Sequence, residues 1–130
     1  MSGKVLLDTN IVIAIFAEET PVLERLAAAE EVFVPAVALG ELYYGARKSG
    51  RAETNLARID EFAVAAAILG CDTLTAQQYG RIKNDLRAKG RPIPENDIWI
   101  GAVAIQHDLA VATRDHDHFS QVLGLSVEVW

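Results

Sequence analysis

The chain has 130 residues, 51% of them hydrophobic and 23% charged, with a net charge of −6 and a pI near 5.0. That is one domain's length, read as a single unit over residues 1–130, with enough apolar material for a core. It excludes a disordered chain, and a single cysteine, Cys71, excludes an internal disulfide framework. The acidic balance counts, in bulk, against a nucleic-acid partner.

The apolar run Val5-Leu6-Leu7 that follows Met1-Ser2-Gly3-Lys4 is too short for a signal peptide. The longest uncharged stretch, Phe62 to Cys71, is far below the ~20 residues a membrane span needs. A soluble, cytoplasmic protein is expected.

In chain order, Val5-Leu6-Leu7 reads as a buried strand ending at Asp8. Asp8-Thr9-Asn10 supplies N-capping chemistry for a helix in which Ile11, Val12, Ile15 and Phe16 recur at helical spacing. Thr20-Pro21 opens a second helix with Leu23, Leu26 and Ala27 turned inward. Val32-Phe33-Val34 is a second strand, stopped by Pro35; a helix through Glu41 to Ala46 follows, then another from about Ala52 to Val64. Ala65 to Leu69 fits either a third strand or the end of that helix. Thr73 to Lys89 is an amphipathic helix with Tyr79, Ile82 and Leu86 on one face and Gly90 at its C-terminal cap. After the loop Gly90 to Glu95, Asn96 or Asp97 caps a helix carrying Ile98, Ala102 and Ile105 on one stripe. Leu109 to Ala112 and Ser126 to Val129 are the last strands. This alternation predicts an α/β fold, a three-layer α/β/α sandwich with a mainly parallel central sheet. In such sheets ligands gather beyond the carboxyl ends of the strands.

Four acids fall at or near those ends: Asp8 directly after the first strand, Glu41 near the start of the helix after the second, Asp97 at a helix start, and Asp115 just after the strand Leu109 to Ala112. Singly, each has an ordinary explanation as a cap or loop acid. Glu41 is the exception, because it interrupts the apolar pattern Val37-Ala38-Leu39-Gly40-Glu41-Leu42-Tyr43 and so needs a partner. Converging carboxylates repel, and a cation relieves them. Oxygen donors suit Mg²⁺ or Mn²⁺, ions that bridge phosphate oxygens and activate water for phosphodiester displacement. Such a site also answers the charge objection, since Asp8, Glu41, Asp97, Asp115 and Asp117 contribute five of the negative charges. Arg81, Lys83, Arg87, Lys89 and Arg91, with Arg47, Lys48 and Arg51, offer two basic groups for a phosphate backbone; Lys83 and Arg87 read better as a solvated helix face.

These residues resemble a known family. Leu7-Asp8-Thr9-Asn10-Ile11, Glu41-Leu42-Tyr43-Tyr44-Gly45, Pro94-Glu95-Asn96-Asp97-Ile98-Trp99-Ile100-Gly101-Ala102 and Ala112-Thr113-Arg114-Asp115-His116-Asp117-His118-Phe119 resemble, in order and spacing, the four motifs of PIN-domain ribonucleases. The short length is similar to the VapC toxins of prokaryotic toxin–antitoxin pairs. The resemblance implies a metal-dependent endoribonuclease with Asp8, Glu41, Asp97 and Asp115 as its acidic quartet. It implies Asp117 as an auxiliary acid, Thr113 as a residue orienting a metal ligand or water, and Asn10 as a support for Asp8. It also implies Mg²⁺ or Mn²⁺ as cofactor, RNA as substrate, a VapB-like antitoxin as partner, and a homodimer. The helix after Asp8 carries more apolar side chains than one core-facing stripe uses, as a partner groove would require.

His116 and His118 read as incidental loop histidines, Cys71 as a small buried or half-buried residue, and Trp99 and Tyr44 as packing residues. A haloacid-dehalogenase-type phosphatase needs a second acid two residues after the first, where this chain has Asn10. Dinucleotide binding fails for want of a Gly-x-Gly-x-x-Gly turn. An α/β interaction module without catalysis has no reason to keep so costly a cluster of acids.

Overall fold

The computed structural model describes residues 3–130, so the first two residues of the expected unit lie outside the described part. Its elements are β1 (Lys4–Leu7), α1 (Thr9–Phe16), α2 (Thr20–Ala28), β2 (Glu31–Pro35), α3 (Ala36–Arg47), α4 (Ala52–Ala65), β3 (Ala67–Leu69), α5 (Thr73–Ala88), α6 (Glu95–Gln106), β4 (Ala110–Thr113), α7 (His116–Phe119) and β5 (Val127–Val129). The strands form one sheet in the order β3-β2-β1-β4-β5, parallel at every pairing. The stretch after α4 is therefore a strand, with the helix ending at Ala65.

Period-two alternation in β1 divides the core in two. Val5 and Leu7 pack with Ile11, Val12, Val34, Ala38, Leu42 and Ile59 on one face of the sheet. Leu6 packs with Ile100, Val103, Ala104, Val111 and Phe119 on the other. A third cluster, Ile82, Leu86, Ile98, Ala102 and Val122, joins α5 to α6. This is the expected three-layer sandwich, with β1 at its centre and apolar on both sides as a buried parallel strand must be. No helix among the described residues is long and apolar enough to cross a membrane.

Several local expectations are corrected. α3 begins directly after β2 rather than near Glu41, because Pro35 is its N-cap and the residues after it are all helix-compatible; Glu41 thus lies in the second turn. α6 is capped by Pro94 rather than Asn96 or Asp97, and Asp97 sits within its first turn, where the helix dipole favours an acid. In α2, Val22 is the buried residue and Ala27 is exposed. Cys71 is exposed in the loop before α5. Tyr44 is 67% exposed, with Lys48 Nζ over its ring, and does not pack. Trp99 does pack, stacked on Tyr79 with 4.1 Å between ring centroids.

Candidate active site

The parallel sheet brings the carboxyl ends of β1 and β4 side by side. Leu7 pairs with Ala112, and the Asp8 amide donates to the Ala112 carbonyl at 3.0 Å, so Asp8 and Thr113 emerge as neighbours. Thr113 Oγ1 donates to Asp8 Oδ2 at 2.7 Å. The other oxygen of Asp8 accepts from the Thr9 amide at 2.8 Å and so caps α1. Asp8 is 3% exposed. Burial is the main reason its carboxyl is pushed up to about 6; the two hydrogen bonds oppose the rise, and the charges of Asp97 and Asp115 add to it.

Glu41, half-buried on α3, reaches back to α1, where Thr9 Oγ1 donates to its Oε1 at 2.6 Å. Asp97 is 8% exposed, and its Oδ2 lies 2.8 Å from His118 Nδ1. Desolvation raises the Asp97 pKa above the ordinary carboxylate range; the His118 hydrogen bond counters it, and Asp115 and Glu41 push the same way as burial. Asp115 stands at the N-terminus of α7. Its Oδ2 accepts from Asn10 Nδ2 at 3.2 Å, and its amide donates to Thr113 Oγ1 at 2.9 Å.

The structure thus brings the four predicted acids to one edge of the sheet, where Glu41, Asp97 and Asp115 line a single cavity of about 350 Å³ together with Pro94, Glu95, Asn96 and His118. Ligand atoms of Asp97, Asp115 and His118 lie within 4.8 Å of one another. Asp117 is elsewhere: its side chain is 103% exposed and it lines a neighbouring cavity with Arg91 and Gln121. Asn10 holds Asp115 rather than Asp8, since its Nδ2 faces the Asp115 carboxylate and its Oδ1 accepts from the Arg114 amide at 3.3 Å. Two further residues were not singled out in the sequence as site residues. Thr9 lies inside the first motif, where its hydroxyl could have been matched to a nearby acid. His118 sits one helical turn after Asp115, yet nothing in the spacing connects it to Asp97.

The donors suit a hard divalent cation. Four carboxylates offer oxygen ligands, and the two most buried, Asp8 and Asp97, have raised pKa values caused partly by their acidic neighbours. Carboxylates whose charge is disfavoured first by burial and then by acidic neighbours mark a place where a cation would be stabilising.

A parallel α/β sandwich with acids gathered at its carboxyl edge places the candidate site where ligands bind in such folds, with oxygen donors that could hold a divalent cation. The chain belongs to the PIN-domain family, whose pattern it matches over residues 5–124. It is 36% identical over 129 residues to Ribonuclease VapC2 of Haemophilus influenzae, with 98% of each chain covered. It is equally identical, at the same coverage, to the tRNA(fMet)-specific endonuclease VapC of Shigella flexneri. Its fold superposes on the solved structure of DNA-bound VapBC from Salmonella typhimurium with a TM-score of 0.89, at 32% identity and 98% coverage of both chains.

Proposed function

We propose that this chain is a metal-dependent endoribonuclease of the VapC kind, held in check by a VapB-like antitoxin. The observation that carries the reading is the convergence of Asp8, Glu41, Asp97 and Asp115, each with its own orienting side chain, in a chain alike over nearly its full length to VapC ribonucleases. The substrate is RNA, single-stranded or structured, and the place of action is the cytoplasm.

The reaction is hydrolysis: water adds to phosphorus, one P–O ester bond breaks, and the leaving oxygen takes up a proton. A divalent ion, Mg²⁺ or Mn²⁺, supplies charge neutralisation for that displacement and acidifies water when bound. Asp8, Glu41, Asp97 and Asp115 would hold it. Thr113 fixes Asp8 and also receives the Asp115 amide, so one hydroxyl sets the relative position of two acids. Thr9 fixes Glu41, and Asn10 fixes Asp115. Such preorganised donors spend no free energy on rearrangement at the moment of reaction.

A groove beside the site supports the antitoxin reading. Ile13, Phe16, Ala17, Leu42 and Ile59 line it together with Thr9 and Glu41 of the acidic site, in a cavity of about 460 Å³. Ile13 is 54% exposed there, which accounts for the surplus of apolar residues on α1. An amphipathic partner helix fits such a groove, and an arginine at its end would reach the acids and substitute for the cation's charge. A homodimer is the expected assembly of the toxin.

Cleavage of single-stranded RNA by the purified chain, with Mg²⁺ or Mn²⁺ and then with EDTA, tests the catalytic reading. Activity with either ion, its loss in chelator and weak activity with Ca²⁺ are expected; undiminished cleavage in EDTA overturns the metal mechanism. Phe16→Asp tests the groove: loss of antitoxin binding with cleavage retained is expected, whereas cleavage and binding both retained would leave the groove without a role.

A further inference from the structure

Three of the four acids are oriented by side chains on or directly beside the central strands: Asp8 by Thr113, Glu41 by Thr9, and Asp115 by Asn10. Asp97 has no such neighbour. It stands on the first turn of α6 after a proline-containing loop, and its sole side-chain hydrogen-bond partner among the described residues is His118, on the one-turn helix α7. The Asp97 Oδ1 atom carries no protein hydrogen bond among the described residues, and the nearby acids that bear on it, Asp115 and Glu41, repel its charge. The bond to His118 is the one side-chain hydrogen bond, among the described residues, that holds this carboxylate in the cavity it shares with Glu41 and Asp115.

We propose that His118 is a positioning residue for Asp97: its Nδ1–H donates to Asp97 Oδ2 and holds the carboxylate in the cavity where it would bind a divalent cation. The assignment of the proton follows from the acceptor, since an ionised carboxylate has none to give. The inference rests on the metal-binding role proposed for Asp97. It does not make His118 a ligand; the imidazole acts through the carboxylate, as partners of metal-holding groups commonly do. His118 also lines the adjacent cavity with Arg91 and Gln121, so direct contact with an RNA strand is the alternative role for its ring. The test must separate that role from positioning.

Asparagine makes the separation, because its amide nitrogen is attached to Cγ as Nδ1 is in histidine, while nothing replaces Nε2. Mn²⁺ affinity and steady-state RNA cleavage would be measured for the full chain and for His118→Ala, His118→Asn and Asp97→Asn, with thermal unfolding as the check on folding. The side chain of His118 is 42% exposed, so alanine there should fold. His118→Ala is expected to weaken Mn²⁺ binding roughly tenfold and to lower kcat with KM little changed. His118→Asn is expected to restore both. Equal Mn²⁺ affinity in the wild type and His118→Ala overturns the proposal. So does a His118→Asn variant that binds Mn²⁺ normally but shows a raised KM, which would make Nε2 a substrate contact. Nitrogen coupling from a directly coordinated imidazole in the electron spin echo of the Mn²⁺-loaded wild type would also overturn it. A wild type that binds no Mn²⁺, or an Asp97→Asn variant that binds it as well, strikes the underlying metal reading instead.

Discussion

The two sides of the acidic site are built differently. Asp8 is set into the sheet, where β1 and β4 end together: both of its oxygens accept hydrogen bonds from adjacent backbone or strand residues, and it is 3% exposed. Asp97 stands across the cavity on a helix, held by one half-exposed histidine from a helix of four residues. On the sheet side the carboxylate is fixed through both oxygens where paired strands end; on the other side α6 is packed into the core, but the Asp97 carboxylate itself is held through one side-chain hydrogen bond. Electrostatic cost therefore concentrates at Asp8, which can neither move nor be hydrated, and its carboxyl is the one driven to about 6.

The largest effect expected from this contrast is at Asp8. Asp8→Asn should abolish cleavage while stabilising the metal-free protein at neutral pH. A rise from 3.8 to about 6 corresponds to about 3 kcal/mol of charge burial, an upper figure for the gain. The pH dependence follows in sign. The folded pKa lies above the unfolded one, so this contribution to stability is fully present below the unfolded value of 3.8 and is lost as pH rises to about 6. Asp97 shifts in the same direction, whereas Asp72 and Glu95, with lowered values, work against it. The difference in melting temperature between wild type and Asp8→Asn in EDTA isolates the effect: it should widen from pH 4 to pH 7. A constant difference would show that burial does not strain Asp8. Metal affinity should rise over the same interval, as protons cease to compete for the carboxylate.

A smaller effect is expected one bond away. Thr113→Val keeps the shape but removes the hydroxyl that donates to Asp8 and accepts from the Asp115 amide. Cleavage should fall roughly 10–100-fold through weaker metal binding. The apo protein should lose about 1–3 kcal/mol at neutral pH, as a buried charge gives up a hydrogen bond. Denaturant unfolding and Mn²⁺ titration measure the two separately. If the metal affinity of Thr113→Val matches the wild type, the strand side does not depend on this hydroxyl.

The same division explains what could be read from the sequence. Strands announce themselves by apolar runs, and the acid that follows one must lie at its carboxyl end; Asp8 and Asp115 were placed by that logic alone. Glu41 stands out by interrupting an apolar pattern and Asp97 by opening a helix after a loop, but their exact helical positions are not legible, because Pro35 and Pro94 cap their helices without offering a side-chain hydrogen bond. The orienting partners were less legible. Thr113 was named, but Asn10 was given to the wrong acid, since a hydrogen bond across 105 residues depends on side-chain direction and not on spacing. The Asp97–His118 bond joins two helices through tertiary packing and leaves no periodic trace in the chain.

The smallest effect separates Asp115 from Asp117, two acids that the fourth motif leaves equivalent. Residues two apart on a helical turn point in nearly opposite directions. α7 makes that turn: Asp115 precedes it and leans back to Asn10, while Asp117 projects into solvent with its side chain fully exposed. Its neighbour is His116, whose Nδ1 lies 3.8 Å away on the same helix. An exposed acid in that position lies outside the cavity lined by Glu41, Asp97 and Asp115. Asp117→Asn should therefore change kcat/KM by no more than about twofold, the size of effect expected from a screened surface charge near a polyanionic substrate. Its direction should be upward, because one repulsive charge is removed beside the path of the RNA, and the gain should vanish at high salt. Asp115→Asn, measured alongside, should lose cleavage at any salt concentration. A loss at Asp117 that persists in high salt, with Mn²⁺ affinity reduced, would mean that α7 rotates when the cation binds and that the fourth acid is Asp117.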